Sequence, residues 1–288
     1  MEIAAAISLA TQQPFHLAKQ TRITGGSINQ TYCFTGQDQR RFFVKLNAAK
    51  LLPMFTAEAV GLNSIAATQT IRVPEVITYG IADKQAFLVL EYLDLCSHGN
   101  AALLGEQLAA LHQCTDEQFG FTQNTYIGGT LQPNEPATDW IAFWREYRLG
   151  FQLRLAEKNG HGEQLQIIGA ELLDKLPNFF RGYTPLPSLL HGDLWSGNHA
   201  YQVNSTPVIF DPAAYYGDRE CDLAMTELFG GYHQNFYAAY RATYPLDTGY
   251  TIRRDLYNLY HILNHANLFG GSYVTQARQM IKKLLAES

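Results

Sequence analysis

The chain has 288 residues, 47% hydrophobic and 16% charged, with a formal net charge of -5. That length is long for one small domain and ordinary for two lobes sharing a cleft, and mild acidity without a basic surplus argues against nucleic acid and anionic membrane as partners. Cys33, Cys96, Cys114 and Cys221 lie far apart with no CxxC pair, which argues against a zinc site and a disulfide framework and predicts reduced, buried or half-buried thiols. The opening "MEIAAAISLATQQPF" has an acidic residue where a signal peptide needs basic ones, and no later apolar run approaches the ~20 residues that span a bilayer. The expectation is a soluble, cytoplasmic protein.

In chain order, "TYCF" and "RRFFVKL" are β-branched or aromatic runs around the turn-forming "TGQDQ", so they predict a hairpin, with "AFLVLEYLDL" as a further strand. Between them, "PMFTAEAVGLNSIAATQ" sets Phe55, Ala59, Leu62 and Ile65 on one helical face after Pro53. Texture changes near residue 94, which predicts an N-terminal lobe over 1–93 and a mostly helical lobe over 94–288. In the second, "AALLGEQLAALHQ" reads as helix, as does Trp140 to Lys158, with Ile141, Trp144, Tyr147, Phe151 and Leu155 as its stripe and Gly160 as its stop. "GGTLQPNEPATD" reads as an exposed loop, and helices around Arg254 to Phe269 and Val274 to Leu285 follow.

The segment "LLHGDLWSGNHAYQVNSTPVIFDPAAYYGDRECD" carries the chemistry. Ser188 to Leu190 is a short apolar approach, His191 to Asn198 a loop, and "HAYQV" and "PVIF" a small hairpin that could fold Asp193 and Asp211 back into one site. Asp193 and Asn198 fit D-x-x-x-x-N, the spacing of a kinase catalytic loop in which the Asp accepts the substrate hydroxyl proton and the Asn holds magnesium, with Asp211 as the second metal ligand. ATP phosphates demand this combination, because hard oxygen ligands must hold Mg²⁺ while a separate carboxylate orients the attacking oxygen. Upstream, "TGGSIN" offers a flexible turn at Gly26 and Ser27 where backbone N–H groups could approach phosphate, although it matches neither G-x-G-x-x-G nor a Walker loop. Lys45 ends the run "FFVK" and could reach phosphate, with Glu58 on the next helix to pair with it. His191 is expected to shape the loop through its backbone, and Trp195 either to stack on a sugar ring or to pack between loop and helix. Asp218 is a further candidate on the substrate side, though bracing the segment after the metal site suits both it and Asp222 better. His261 and His265, four apart on a helix with no third ligand, read as surface or groove histidines.

These residues carry a resemblance. "HGDLWSGN" followed by "IFDPAAYYGDRECDLAMTELFGG" resembles the fructosamine kinase, or ketosamine kinase, family over nearly the whole chain. Small-molecule kinases in general share only HGDxxxxN and a later Asp; Trp195, the "DPA" and the "YGDRExDLAM" pattern narrow the likeness. The resemblance implies an α+β, bilobed protein-kinase-like fold with ATP between the lobes and phosphorylation of the 3-hydroxyl of free or protein-bound ketosamines, a repair reaction because the phosphorylated adduct decomposes and releases its amine. Carried over by residue, it implies Asp193 as base, Asn198 and Asp211 as Mg²⁺ ligands, Lys45 with Glu58 at the phosphates, and the backbone of Glu91, Tyr92 and Leu93 as the adenine hinge. Ser27 stands where some relatives carry cysteine, so a thiol switch there is not expected. A kinase for another small alcohol, such as an aminoglycoside or a choline-like amine, and a nucleotide-binding pseudokinase are the alternatives.

Overall fold

The computed structural model of the protein describes residues 2–23 and 28–288. Two compact units emerge, one made of residues up to Asn100 together with His199–Pro212, the other of Ala101–Asn198 together with Ala213–Ser288. The chain thus enters the first unit a second time, and a reading of texture along the sequence has no means of anticipating that return.

In the first unit, helix α1 (Ile3–Thr11) precedes an antiparallel sheet of β1 (Leu17–Ile23), β2 (Gln30–Gly36), β3 (Arg41–Ala48), β4 (Val76–Ala82) and β5 (Gln85–Glu91) in the order β1-β2-β3-β5-β4. The β2–β3 hairpin forms where expected, its turn held by the Asp38 carboxylate accepting from the Arg40 N–H at 3.0 Å. The β4–β5 hairpin was not anticipated. Its turn places Asp83 and Lys84 in left-handed backbone, φ 48° and 65°, without the Asn-Gly pair that usually announces such a turn. Alternate strand residues Phe34, Phe42, Val44, Phe87 and Val89 bury against Ile7 and Phe15. Helix α2 (Leu52–Ala67) opens on Pro53 and buries Phe55, Ala59, Leu62 and Ile65, the face its spacing predicts. The returning hairpin, His199–Gln202 with Pro207–Ile209, adds to β6 (Leu95–Cys96) through Tyr201 opposite Cys96. Cys96 is exposed, contrary to expectation, as is the other residue of the two-residue strand β6.

The second unit is mainly helical: α3 (Ala101–His112), α4 (Trp140–Trp144), α5 (Gly150–Lys158), α6 (Glu163–Lys175), α7 (Glu220–Leu228), α8 (Gln234–Thr243), α9 (Tyr250–Phe269) and α10 (Ser272–Glu287). A π turn over Arg145–Leu149 joins α4 to α5, so the predicted single helix exists but its face is rotated. The large apolar residues buried are Trp140, Phe143, Trp144, Leu149 and Leu153, while Ile141, Tyr147, Phe151 and Leu155 stand at the flanks. Gly160 does end the segment, at φ 76°. "GGTLQPNEPATD" is an exposed loop only in part: Gly129, Leu131, Glu135, Pro136, Thr138 and Asp139 are exposed, but Thr125–Ile127 and Thr130–Gln132 pair as a hairpin, and Thr130, Gln132 and, just after it, Asn134 are buried. Those three polar residues look loop-like in sequence because their partners come from elsewhere. Gln132 donates to the Ala213 carbonyl at 2.9 Å and accepts from Tyr260 at 2.7 Å. His261 is likewise buried rather than at a surface or groove, and burial above all lowers its pKa to about 3, so it is held neutral.

Candidate active site

The first unit contributes a cluster of charge. Lys45, on β3, puts its ammonium 2.6 Å from Glu58 on α2 and 2.5 Å from Asp211, the latter 166 residues away along the chain. The strand sets the lysine: Lys45 pairs with Thr31 on β2 and Leu88 on β5, and its alternation turns the side chain to the α2 side. Asp211 follows the strand Pro207–Ile209 with φ 59°, a left-handed conformation rare outside glycine but tolerated by aspartate and concentrated at functional sites. The lysine side chain is 4% exposed and that of Glu58 10%, whereas that of Asp211 is 45% exposed. Burial alone would lower the Lys45 pKa, but Asp211 and Glu58 outweigh it and hold the ammonium above the usual lysine range. Burial pushes the Glu58 carboxyl up to about 7, with Lys45 pulling the other way. A fixed cation thus faces one sheltered and one accessible carboxylate.

At the other expected nucleotide contacts the placement is mixed. The Glu91 N–H donates to the Glu75 carbonyl at 2.8 Å, and its carboxylate is ion-paired with Arg72. Tyr92 lies under the Arg41 guanidinium at 4.4 Å, and Arg41 is tied to Asp94 at 3.0 Å. Tyr92 and Leu93 are half-buried. Gly26 and Ser27 lie outside the described residues.

The second unit contributes a loop held by hydrogen bonds. After the strand Ser188–Leu190, which pairs with Tyr215–Gly217, the chain turns at Gly192 with φ 82°. A Cβ at that position would stand 2.2 Å from the Ala213 carbonyl oxygen, so only glycine lets the loop close on the segment after Asp211. The Ala213 N–H in turn donates to the His191 carbonyl at 2.9 Å. His191, fully buried, accepts the Asp193 N–H on Nδ1 at 3.2 Å, the shaping role read from the sequence. The Asn198 amide donates to the Asp193 carbonyl at 2.8 Å and to its carboxylate at 3.3 Å, so the two motif residues meet.

Asp222 on α7 anchors this loop from behind. It accepts the His191 N–H at 2.7 Å and the Gly192 N–H at 2.8 Å, and takes a third hydrogen bond from His112 Nε2 at 3.1 Å. Burial would raise its pKa, yet these donors, His112 foremost, bring it below the usual carboxylate range. Beyond it, Tyr240 meets His112 Nδ1 at 2.8 Å and accepts from Arg219 at 3.2 Å. Asp218 is fully buried and accepts from Tyr183 at 2.9 Å, from Tyr257, and from the Glu220 N–H. That corrects the substrate-side reading of Asp218, because a carboxylate with its lone pairs so engaged inside the protein braces α7 instead. Trp195 is 38% exposed, its ring edge-on to Phe229 at 6.4 Å and its carbonyl accepting from Tyr232 at 3.0 Å.

Two residues escaped the sequence reading. His112 ends α3 on the buried face with Leu104 and Leu108, spaced by four, and a histidine completing an apolar stripe is the signal that could have found it. Arg148 is fully buried in the π turn, its guanidinium 4.0 Å over the Tyr215 ring and hydrogen-bonded to Asn134 at 2.7 Å and to the Pro133 carbonyl at 2.6 Å. An arginine inside an aromatic helix reads as solvent-facing, so no local signal marked it. Among the described residues, no three His, Cys, Asp or Glu side chains gather to hold a metal ion, and no helix is long and apolar enough to cross a membrane.

The chain resembles known proteins along nearly its whole length. The family profile described as fructosamine kinase matches residues 1–287. A Synechocystis protein named "Probable ketoamine kinase" is 47% identical over 287 residues, covering 98% of this chain and 96% of its own. The chloroplastic protein-ribulosamine 3-kinase of Arabidopsis thaliana is 42% identical over 93% of this chain and 84% of its own. A crystal structure of a Haemophilus somnus protein assigned as a fructosamine-3-kinase superposes with a TM-score of 0.90 at 30% identity, over 98% of this chain and 96% of that one. The α+β fold is therefore the protein-kinase-like one, and the chain belongs to the fructosamine kinase family.

Proposed function

We propose that this protein transfers the γ-phosphoryl group of ATP to the 3-hydroxyl of a ketosamine, with a free or protein-bound fructosamine or ribulosamine adduct as acceptor. The observation that carries the kinase reading is the Lys45 ammonium set between Glu58 at 2.6 Å and Asp211 at 2.5 Å, a buried cation with one accessible carboxylate beside it. Family membership supports the acceptor class.

In this reading Lys45, oriented by Glu58, draws the phosphate oxygens, and the adenine edge is met by hinge backbone. Because the Glu91 N–H is engaged by Glu75, that contact falls to Tyr92 and Leu93. Asp193, its backbone fixed through His191 and Asn198, aligns the sugar hydroxyl and takes its proton as the phosphoryl group passes in line. Mg²⁺ fits the donors present: the Asp211 carboxylate is accessible, and an Asn198 amide that donates through nitrogen keeps its oxygen for a hard cation. When bound, the ion would neutralise charge on the triphosphate.

The test is a coupled ATP assay with ³¹P NMR across fructose-, ribulose- and erythrulose-derived amines beside choline and an aminoglycoside. Turnover of ketosamines supports the reading. Turnover of the last two alone would replace it with a kinase of another small alcohol, and nucleotide binding without any turnover would point to a pseudokinase.

A further inference from the structure

Beyond the catalytic loop the second unit carries a row of partly exposed aromatic rings that the fold does not need. Trp195 leads to Phe229 at 6.4 Å, Phe229 to His265 at 5.2 Å, and His265 to both Phe269 at 5.6 Å and Tyr273 at 5.1 Å. Phe269 and Tyr273 close the outer end at 6.3 Å. The row is built from separate segments. Phe269 is the last residue of α9 and Tyr273 lies in the first turn of α10, and the two meet because Gly270 and Gly271, at φ 64° and 61°, reverse the chain between them.

Core packing does not account for it. Phe269 is 63% exposed, and Trp195 at the inner end is also accessible. A contiguous row of accessible rings of this kind marks a contact surface. Its inner end, Trp195, stands in the same loop as Asp193 and Asn198.

Resting on the proposed function, the geometry points to this row as the platform for the amine-bearing arm of the acceptor, with Phe269 and Tyr273 as the specificity-determining residues at its far end. A ketosamine carries a secondary amine close to the hydroxyl that reacts, and that amine is an ammonium at neutral pH. Ring faces attract such a cation, and their edges and flanks take the aliphatic chain that follows it. A short arm ends near Trp195 and Phe229. A lysine arm continues outward along the row, and the main-chain amides from which the lysine projects lie at Phe269 and Tyr273, the end where Phe269 is exposed.

The experiment compares wild type, Phe269→Ala, Phe269→Leu and Tyr273→Ala on two ketosamines of the same sugar, one made from methylamine and one from the ε-amine of Nα-acetyl-lysine amide. The alanine variants are expected to raise KM for the lysine adduct by roughly three- to tenfold, the scale of a partly exposed aromatic contact. KM for the methylamine adduct, KM for ATP, kcat and melting temperature should stay near wild type. Phe269→Leu keeps apolar area without the ring face and should recover only part of the affinity. Equal changes for the two adducts, or none for either, would overturn the assignment while leaving the proposed function intact; wild type inactive on both adducts would remove the two together.

Discussion

The two ends of the proposed reaction are held in opposite ways. In the first unit the groups are fixed by charge: Lys45 is positioned by Glu58 and Asp211, and Asp211, the accessible member of that trio, is the one proposed to meet the metal ion. In the second, the Asp193 backbone is held by His191 and Asn198, in a loop that Asp222 grips through two N–H groups. A phosphate-binding cluster must exchange partners when the nucleotide arrives, so its ion pairs are made to be shared. A base must stay in place through the cycle, and His191 and Asp222, which hold its loop, are buried.

Substitutions can break this contrast, beginning with the largest effect. Asp193→Asn should leave melting temperature and nucleotide affinity near wild type while turnover falls roughly 10²-fold or more, the contribution of a positioned general base. Single-turnover kinetics beside a nucleotide titration checks it, and undiminished turnover would take the base role from Asp193. Asp222→Ala should act on both stability and rate, because it strands two buried N–H groups and His112. A loss of about 2 kcal/mol in urea unfolding, with kcat reduced and KM for ATP little changed, is the expected pattern. A drop in ATP affinity alone would show that the loop does not depend on it.

On the charged side, Asp211→Ala should weaken Mg·ATP by roughly tenfold or more yet change ATP affinity measured in chelator far less, since the lost group is proposed to contact the cation. Equal weakening in calorimetry with and without magnesium would make Asp211 a structural partner of Lys45 only. The smallest effect concerns acid. His261 has its folded-state pKa depressed to about 3, so the unfolded chain binds the extra proton first; its contribution to stability is complete above the unfolded value near 6.5 and is lost as pH falls from there toward 3. Glu58 and Glu220, each raised to about 7 with burial as the largest cause, work in the other direction between about 7 and 4.5. His261→Asn should therefore be less stable than wild type at pH 7.5 but lose less on acidification to pH 4.5. Parallel stability curves for the two proteins would contradict the buried neutral histidine.

What the sequence disclosed follows the same division. Lys45, Glu58, Asp193, Asn198 and Asp211 were legible because charged residues beside apolar runs are conspicuous, and two sites on a short loop have a readable spacing. The strands β2, β3 and β5 and helix α2 were legible because each has its own hydrophobic period. The supports were not. Gln132 and Asn134 sit in a stretch that reads as turn, and only Ala213, Tyr260 and Arg148, far along the chain, turn it into buried structure. The π turn at Arg145–Leu149 adds a residue to a helical register that periodicity takes as regular, which is why Tyr147, Phe151 and Leu155 of the predicted stripe fall at the flanks of the buried face. Bracing by Asp222 was expected, but its partner His112 lies 110 residues away on α3.

The most direct measurement uses a ketosamine labelled with ¹³C at the carbon of its 3-hydroxyl, incubated with ATP, Mg²⁺ and either wild type or Asp193→Asn, and followed by ³¹P and ¹³C NMR. The account predicts a new phosphate ester whose phosphorus couples to the labelled carbon, formed by wild type and suppressed in the variant. A phosphate ester at any other position, or the same ester formed at the same rate by both proteins, would contradict it.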